Sequence, residues 1–276
     1  MNYPKVFIVI LNYNGKAVLK NTLESVYKLN YPNYEVVVVD NNSVDGSFEE
    51  ARISFGKFNF IKNNQNVGFA AGNNVAIKWA LEKMADYILL LNNDALIEKD
   101  ALTNLIKAAQ KNDKIGILSP VIYKGNSSQI WFSGGKIDWL RMRTEHLDNI
   151  KETQYITGCA MLIKKDVFKK IGLLDETFFL YYEDADFSFR AAKNGFKLKI
   201  VSEAKVFHFE KSSESLNKIY YLVRSGIIFF RKNSNFLFRI YIEFYLAMRK
   251  VKNKYDIKNN IDVEKAFLVK RAYDEI

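Results

Sequence analysis

The chain has 276 residues, nearly half of them apolar, with a formal net charge of +10, one cysteine and three prolines. Such a length and apolar content require a sizeable core, and a single cysteine excludes an intramolecular disulfide framework. The charge is uneven: from Lys205 onward 15 Lys and Arg face 8 Asp and Glu, so the basic excess belongs to the C-terminal part, and no nucleic-acid-binding motif occurs.

The first segment, MNYPKVFIVIL, runs directly into an apolar strand over residues 6–11 and lacks the basic start and cleavage site of a secretory leader. Apolar runs elsewhere fall short of the ~20 residues of a membrane-spanning helix. A reducing, cytoplasmic location is therefore expected, with Cys159 as a small buried hydrophobe. A helical pattern follows over 17–29, a strand over 35–39 (EVVVV), a shorter strand over 58–61, an amphipathic helix over 69–84 and a strand over 87–91 (YILLL). A helix over 101–111 and a strand over 115–123 complete the first half. Continuous apolar strands separated by helices predict an α/β fold whose parallel sheet is covered on both faces.

Ligands of such sheets sit at the carboxyl ends of the strands. There the chain places Asn12-Tyr13-Asn14-Gly15, Asp40-Asn41-Asn42-Ser43 and Asn92-Asn93-Asp94, three polar clusters expected along one rim. One Asn-rich turn is ordinary; three at one edge point to a ligand site. The segment 64–74, with Asn66, Gly68 and Gly72, opens the long helix. Its glycines permit close backbone approach and its helix N-terminus offers amides to an anion such as a diphosphate. The GxxxG spacing is not the dinucleotide fingerprint and equally suits helix packing.

Residues 125–150 read as polar and irregular. Trp131 and Trp139 there either stack on a ligand or fill a satellite core, and His146, in RMRTEHLD, reads as a surface loop residue. The stretch GLLDETFFLYYEDADFSFRAAK (172–193) sets five carboxylates among six large aromatics. Buried carboxylates are costly unless a cation, a donor or a reaction uses them, so an active-site wall is expected. A helix over 183–193 would carry Glu183 and Asp184 in its first turn, about 100° apart, with Asp186 and Arg190 paired one turn apart. Acidic capping alone would explain one or two acids. Residues 212–250 hold two apolar patterns studded with cations. They read as amphipathic helices that lie on an anionic membrane, pack on the catalytic domain or form a homodimer interface.

The motifs IVILNYNG, VVVVDNNSVDGS, NVGFAAGNN, LLLNNDA, TGCAMLIKKDVFKKIGLLDETFFLYYEDADFSFR and VFHF, in this order, resemble the inverting family 2 glycosyltransferases. The likeness is to the rhamnosyltransferase-like and galactofuranosyltransferase-like branch and covers residues 6–209. It implies a GT-A fold, a Rossmann-like, mostly parallel sheet flanked by helices. The catalytic domain would span 1–211, with a nucleotide-sugar half over 1–123 and an acceptor half over 124–211. A basic helical extension would span 212–276.

The resemblance also implies roles. Asn12 and Tyr13 would line the base and ribose pocket, Asp40 would bond the nucleobase or ribose with Asn42 beside it, and Asn66 and Gly68 would meet the donor. Asn92-Asn93-Asp94 stands where the family has its Asp-x-Asp metal motif, with Asn92 replacing the first aspartate. Asp94 would hold Mg²⁺ or Mn²⁺ on the donor diphosphate. His208 would complete that site or serve as a core histidine at a strand end. Asp184 would be the base and Glu183 would orient it or the acceptor, two roles exchangeable within one turn. Residues 125–150 would wall the acceptor side or form a lid.

The expected activity is metal-dependent inverting transfer from a dTDP-, UDP- or GDP-linked sugar to a glycan or lipid-linked acceptor. It would take place at the inner face of the cell membrane. Two rivals are a sugar-nucleotide nucleotidyltransferase, which would want a glycine- and lysine-rich loop after the first strand, and a non-catalytic sugar- or lipid-binding module.

Overall fold

A computed structural model describes residues 3–149, 152–209 and 216–276. The first half runs β1 (Val6–Asn12), α1 (Leu19–Tyr27), β2 (Tyr34–Asp40), α2 (Ser47–Ser54), β3 (Asn59–Lys62), α3 (Gly68–Glu82), β4 (Tyr87–Leu91), β5 (Ala95–Ile97), α4 (Ala101–Ala109) and β6 (Ile115–Lys124). Three short strands follow, β7 (Ile130–Phe132), β8 (Gly135–Asp138) and β9 (Arg143–His146), where irregular structure was expected. Then come β10 (Ala160–Lys164), α5 (Lys165–Ile171), α6 (Glu183–Lys193), β11 (Lys197–His208), α7 (Leu216–Asn233), α8 (Phe236–Lys258) and α9 (Val263–Asp274).

The main sheet has the order β3-β2-β1-β4-β10-β6-β11-β5, with β7 against β6. β3, β2, β1 and β4 are mutually parallel, as the apolar runs imply. β10 enters antiparallel between β4 and β6, while β11 returns parallel to β6 and β5 pairs antiparallel with β11. The sheet is thus mixed. AMLIK is buried at its first four positions, and a strand covered on both faces carries no alternation that would reveal its direction.

Phe7, Ile8, Val9 and Ile10 are all fully buried. Since successive side chains point to opposite faces, β1 is covered on both sides, and each such side chain contributes about 1.5–3 kcal/mol. The register aligns the strand ends: Asn12 lies opposite Asp40, and Val9 opposite Leu90. The polar clusters that follow β1, β2 and β4 therefore open on one edge.

The C-terminal helices are built onto this body. Phe229 and Phe230 of α7 are fully buried and pack with Trp139 at ring distances of 6.0 and 5.3 Å. Trp139 thus fills a satellite core. Lys232 reaches Asp175 at 2.6 Å and Asp186 at 2.8 Å, and Arg231 pairs with Glu243 of α8. The cations of α7 that read as a headgroup-facing stripe are in part consumed by the protein itself. The expected boundary at 211/212 lies outside the described residues.

Candidate active site

Asn12 is the hub of the strand-end rim. Its Nδ2 donates to Asp40 Oδ1 at 2.9 Å, Ser43 Oγ at 3.1 Å and Ser47 Oγ at 2.9 Å, and its Oδ1 accepts from Asn93 Nδ2 at 3.1 Å. One side chain therefore ties together the loops after β1, β2 and β4. Gly15 completes the arrangement, because a Cβ there would stand 2.3 Å from Asn12 Oδ1 and 2.6 Å from Asn93 Nδ2. Asp40 is fully buried and accepts from the Ser43 amide and hydroxyl. Asn12 and Asp40 hold the rim rather than line it.

On the next loop, Asp94 meets His208, the last residue of β11. The two are brought together by the pairing of His208 with Ala95 and by the bond from the Phe209 amide to the Asp94 carbonyl at 2.8 Å. His208 Nε2 lies 3.1 Å from Asp94 Oδ1, yet Asp94 Oδ1 and His208 Nδ1 are buried without an aligned hydrogen bond. Burial alone would lower the His208 pKa, but Cys159 and Asp94 beside it raise it, and the outcome is pushed up to about 11. A cation bound there would compete with a proton for the same atoms. Among the described residues no three His, Cys, Asp or Glu side chains gather as a metal cluster. Two protein donors suit Mg²⁺ or Mn²⁺, hard cations that take most of their oxygens from substrate phosphates and water.

α6 supplies the acids. Tyr181 and Tyr182 enter it in the left-handed region, with φ of 66° and 67°, a backbone costing about 1–3 kcal/mol per bulky residue and common at functional sites. This turn presses on α3: the Phe69 amide donates to the Phe179 carbonyl at 2.7 Å, and a Cβ on Gly68 would stand 2.4 Å from that oxygen. The Gly68 amide is taken by Asn66 Oδ1. Two of the amides expected to face an anion, those of Gly68 and Phe69, are thus already engaged within the protein.

Asp184 accepts from the Gly158 amide at 2.9 Å and from its neighbour, the Ala185 amide, at 2.7 Å, and keeps part of its surface open. Glu183 is 5% exposed, and its Oε2 has no partner. Burial pushes the Glu183 pKa well above the usual carboxylate range, and the Asp184 charge adds to this. Burial also raises Asp184, against the opposing amides of Gly158 and Ala185 and the Thr157 hydroxyl. Asp186, fully buried, bonds Arg190 at 2.7 Å as the spacing predicts and is structural.

A cavity of about 920 Å³ joins these parts, lined by Tyr13, Asn92, Asn93, Asp94, Glu183, Asp184 and His208. Asn12, Asp40, Asn42, Asn66 and Gly68 are not among its lining residues; Asn42 takes the left-handed turn after β2 with φ of 64°. His146 is on the lining, not in a surface loop: it sits on β9, and Trp131 packs edge-on against it at 4.4 Å and against His208 at 4.5 Å. His146 is still exposed, at the mouth of the cavity, and nothing in the polar run around it signals this place, which depends on the pairing of β8 with β9. Lys218 and Leu222 of α7 also line the cavity, so the C-terminal extension is part of the site.

The family model "Glycosyl transferase family 2" matches residues 7–172. The chain is 29% identical over 202 residues to the low-salt glycan biosynthesis hexosyltransferase Agl10 of Haloferax volcanii, covering 69% of this chain and 62% of that protein. It is 28% identical over 243 residues to the dTDP-rhamnosyl transferase RfbF of Shigella flexneri, covering 83% of this chain and 80% of the relative. Among solved structures, the mannosyltransferase PcManGT of Pyrobaculum calidifontis, in complex with GDP-Man and Mn²⁺, superposes with a TM-score of 0.66 at 14% identity over 98% of this chain and 86% of that one; this likeness is one of fold. With a GT-A fold carrying this rim and a match over more than half its length, the chain belongs to glycosyl transferase family 2.

Proposed function

We propose that the chain catalyses inverting, divalent-metal-dependent transfer of a sugar from a nucleoside-diphosphate donor to a hydroxyl of a glycan or lipid-linked acceptor. The reaction takes place at the inner face of the cell membrane. The carrying observation is that Asp94 and His208 line the same cavity as Glu183 and Asp184.

Tyr13, Asn92 and Asn93 receive the nucleotide side of the donor, on a rim that Asn12, Asp40 and Asn42 hold in shape, with Asn66 and Gly68 bracing the α3 end. Asp94 and His208 turn toward the diphosphate and would hold Mg²⁺ or Mn²⁺ there. When bound, the cation stabilises the charge that develops on the departing diphosphate. The acceptor hydroxyl attacks the anomeric carbon as the bond from that carbon to the diphosphate oxygen breaks, and the hydroxyl proton passes to Asp184. One displacement inverts the anomeric carbon and needs no protein nucleophile. Two adjacent carboxyls in a buried site do not ionise together. Glu183, the more deeply buried and without a partner, keeps its proton, which leaves Asp184 ionised as the base. Such a base contributes about 10²–10⁴-fold.

A dTDP-rhamnosyl transferase among the relatives and a mannosyltransferase bound to GDP-Man among the similar folds support a nucleotide-sugar donor, with dTDP, UDP and GDP as the candidates. The family match sets aside the nucleotidyltransferase alternative.

The test is thermal stabilisation by UDP, dTDP and GDP, each with Mn²⁺ and with chelator. A ligand at ~100 times its dissociation constant adds about 2.7 kcal/mol. One nucleotide should shift the melting point, with the shift collapsing on chelation; Mn²⁺ alone should do little, because the protein offers it two donors. Asp184→Asn should retain the shift and lose transfer. Near-normal transfer by that variant would refute Asp184 as the base.

A further inference from the structure

On α8, Phe236, Ile240, Phe244, Met248, Val251 and Tyr255 are each between 54% and 78% exposed. At 100° per residue they fall within an arc of about 120°. The buried residues of the helix, Ile242, Leu246 and Asn253, occupy the opposite side. α8 therefore presents two faces, one packed on the protein and one apolar and bare from Phe236 to Tyr255, about 30 Å of helix. Single exposed apolar side chains are ordinary, but a contiguous stripe marks an interaction surface.

The charges beside the stripe select its partner. α8 holds six cations and two carboxylates, and both carboxylates are already engaged, Glu243 by Arg231 and Asp256 by Lys252. Lys250 and Lys254 stand exposed at one border of the stripe and Lys258 beyond its end. A second copy of α8 would bring the same cations to the rim, whereas an anionic lipid surface brings the opposite charge. None of the described helices is long and apolar enough to cross a bilayer. An apolar face bordered by lysines suits a helix lying in the plane of the headgroups.

We infer that α8 docks the protein on an anionic lipid bilayer, with the stripe from Phe236 to Tyr255 sunk into the headgroup layer. α7, whose Phe229 and Phe230 are fully buried in the protein, does not share this contact. The neighbouring β8–β9 turn joins α8 directly: the Tyr241 hydroxyl donates to the Leu140 carbonyl at 2.7 Å, and Leu140 is itself 64% exposed. The same hairpin carries Thr144 and His146 on the cavity wall, so docking through α8 brings an acceptor-side wall to the membrane. This deepens the proposed function and rests on it only for the identity of the acceptor.

The experiment is flotation of the full chain with phosphatidylcholine vesicles containing phosphatidylglycerol, against phosphatidylcholine alone, at low and high salt. The chain should float with the anionic vesicles and release with salt. Ile240→Ser/Phe244→Ser/Met248→Ser should weaken binding by at least about tenfold, with an unchanged melting point and nucleotide-induced shift. Lys250→Glu/Lys254→Glu should weaken it on anionic vesicles and flatten the salt dependence; should the serine variant not fold, this pair carries the test. Undiminished flotation of the folded serine variant, or of the charge pair if that variant does not fold, would overturn the inference. So would a wild-type chain that does not float, or one that forms a dimer dissolved by the serines without binding vesicles. A chain that floats without answering to any nucleotide would instead sink the donor assignment alone.

Discussion

Glu183 and Asp184 differ by one position and by almost everything else. Two backbone amides reach Asp184, while Glu183 Oε2 meets none. Because burial raises the Glu183 pKa in the folded state, the native protein binds a proton there that the unfolded chain releases at ordinary carboxylate pH. Stability from this group is full below that range and falls as pH rises above it. Glu183→Gln should therefore flatten the decline of melting temperature as pH rises above the ordinary carboxylate range, and an unaltered slope would place the proton elsewhere. Asp94, Asp184 and His208 are singled out in the chain by their motifs, NND after an apolar run, YYED after an aromatic cluster and VFHF at a strand end, and the structure brings all three to one cavity. His146 is not so marked, because its place depends on a hairpin of exposed polar residues whose pairing leaves no periodic trace.

Among the elements, α6 owes its position to a contact with α3 that only glycine permits. Gly68 has φ of +84° and its missing Cβ makes room for Phe179. Gly68→Ala combines backbone strain with a clash against a carbonyl, so a loss of more than about 1 kcal/mol is expected. That loss should appear in the urea midpoint together with lower transfer, since the displaced turn leads into Glu183. A variant as stable and active as the parent would show that the turn adapts freely. The long strands and helices of the first half are readable within two residues or so from their hydrophobic runs. The antiparallel entry of β10 is not, because a strand buried on both faces looks alike in either direction. The GxxxG pair reads equally as packing or as anion cradle until Phe179 is seen occupying the space.

Across the whole molecule, the C-terminal helices complete the catalytic body rather than hang from it. α7 lines the cavity with Lys218 and Leu222 and closes the core with Phe229 and Phe230. Losing a buried Phe costs about 3–5 kcal/mol, so two together reach the range of about 5–15 kcal/mol that stabilises a whole domain. A chain ending at residue 209 should lack a cooperative thermal transition; two-state melting near that of the full chain would refute the integration of α7. Amphipathicity alone left three partners open for these helices. Burial separates them, assigning α7 to the protein interior and leaving one face of α8 bare.

Trp131 lies edge-on between His146 and His208, while the other two tryptophans pack elsewhere, Trp79 against Phe7 and Trp139 within the aromatic cluster at α7. The protein therefore contains its own optical probe: a ligand entering the cavity changes the surroundings of one fluorophore out of three, reporting occupancy of the reaction chamber without any added label.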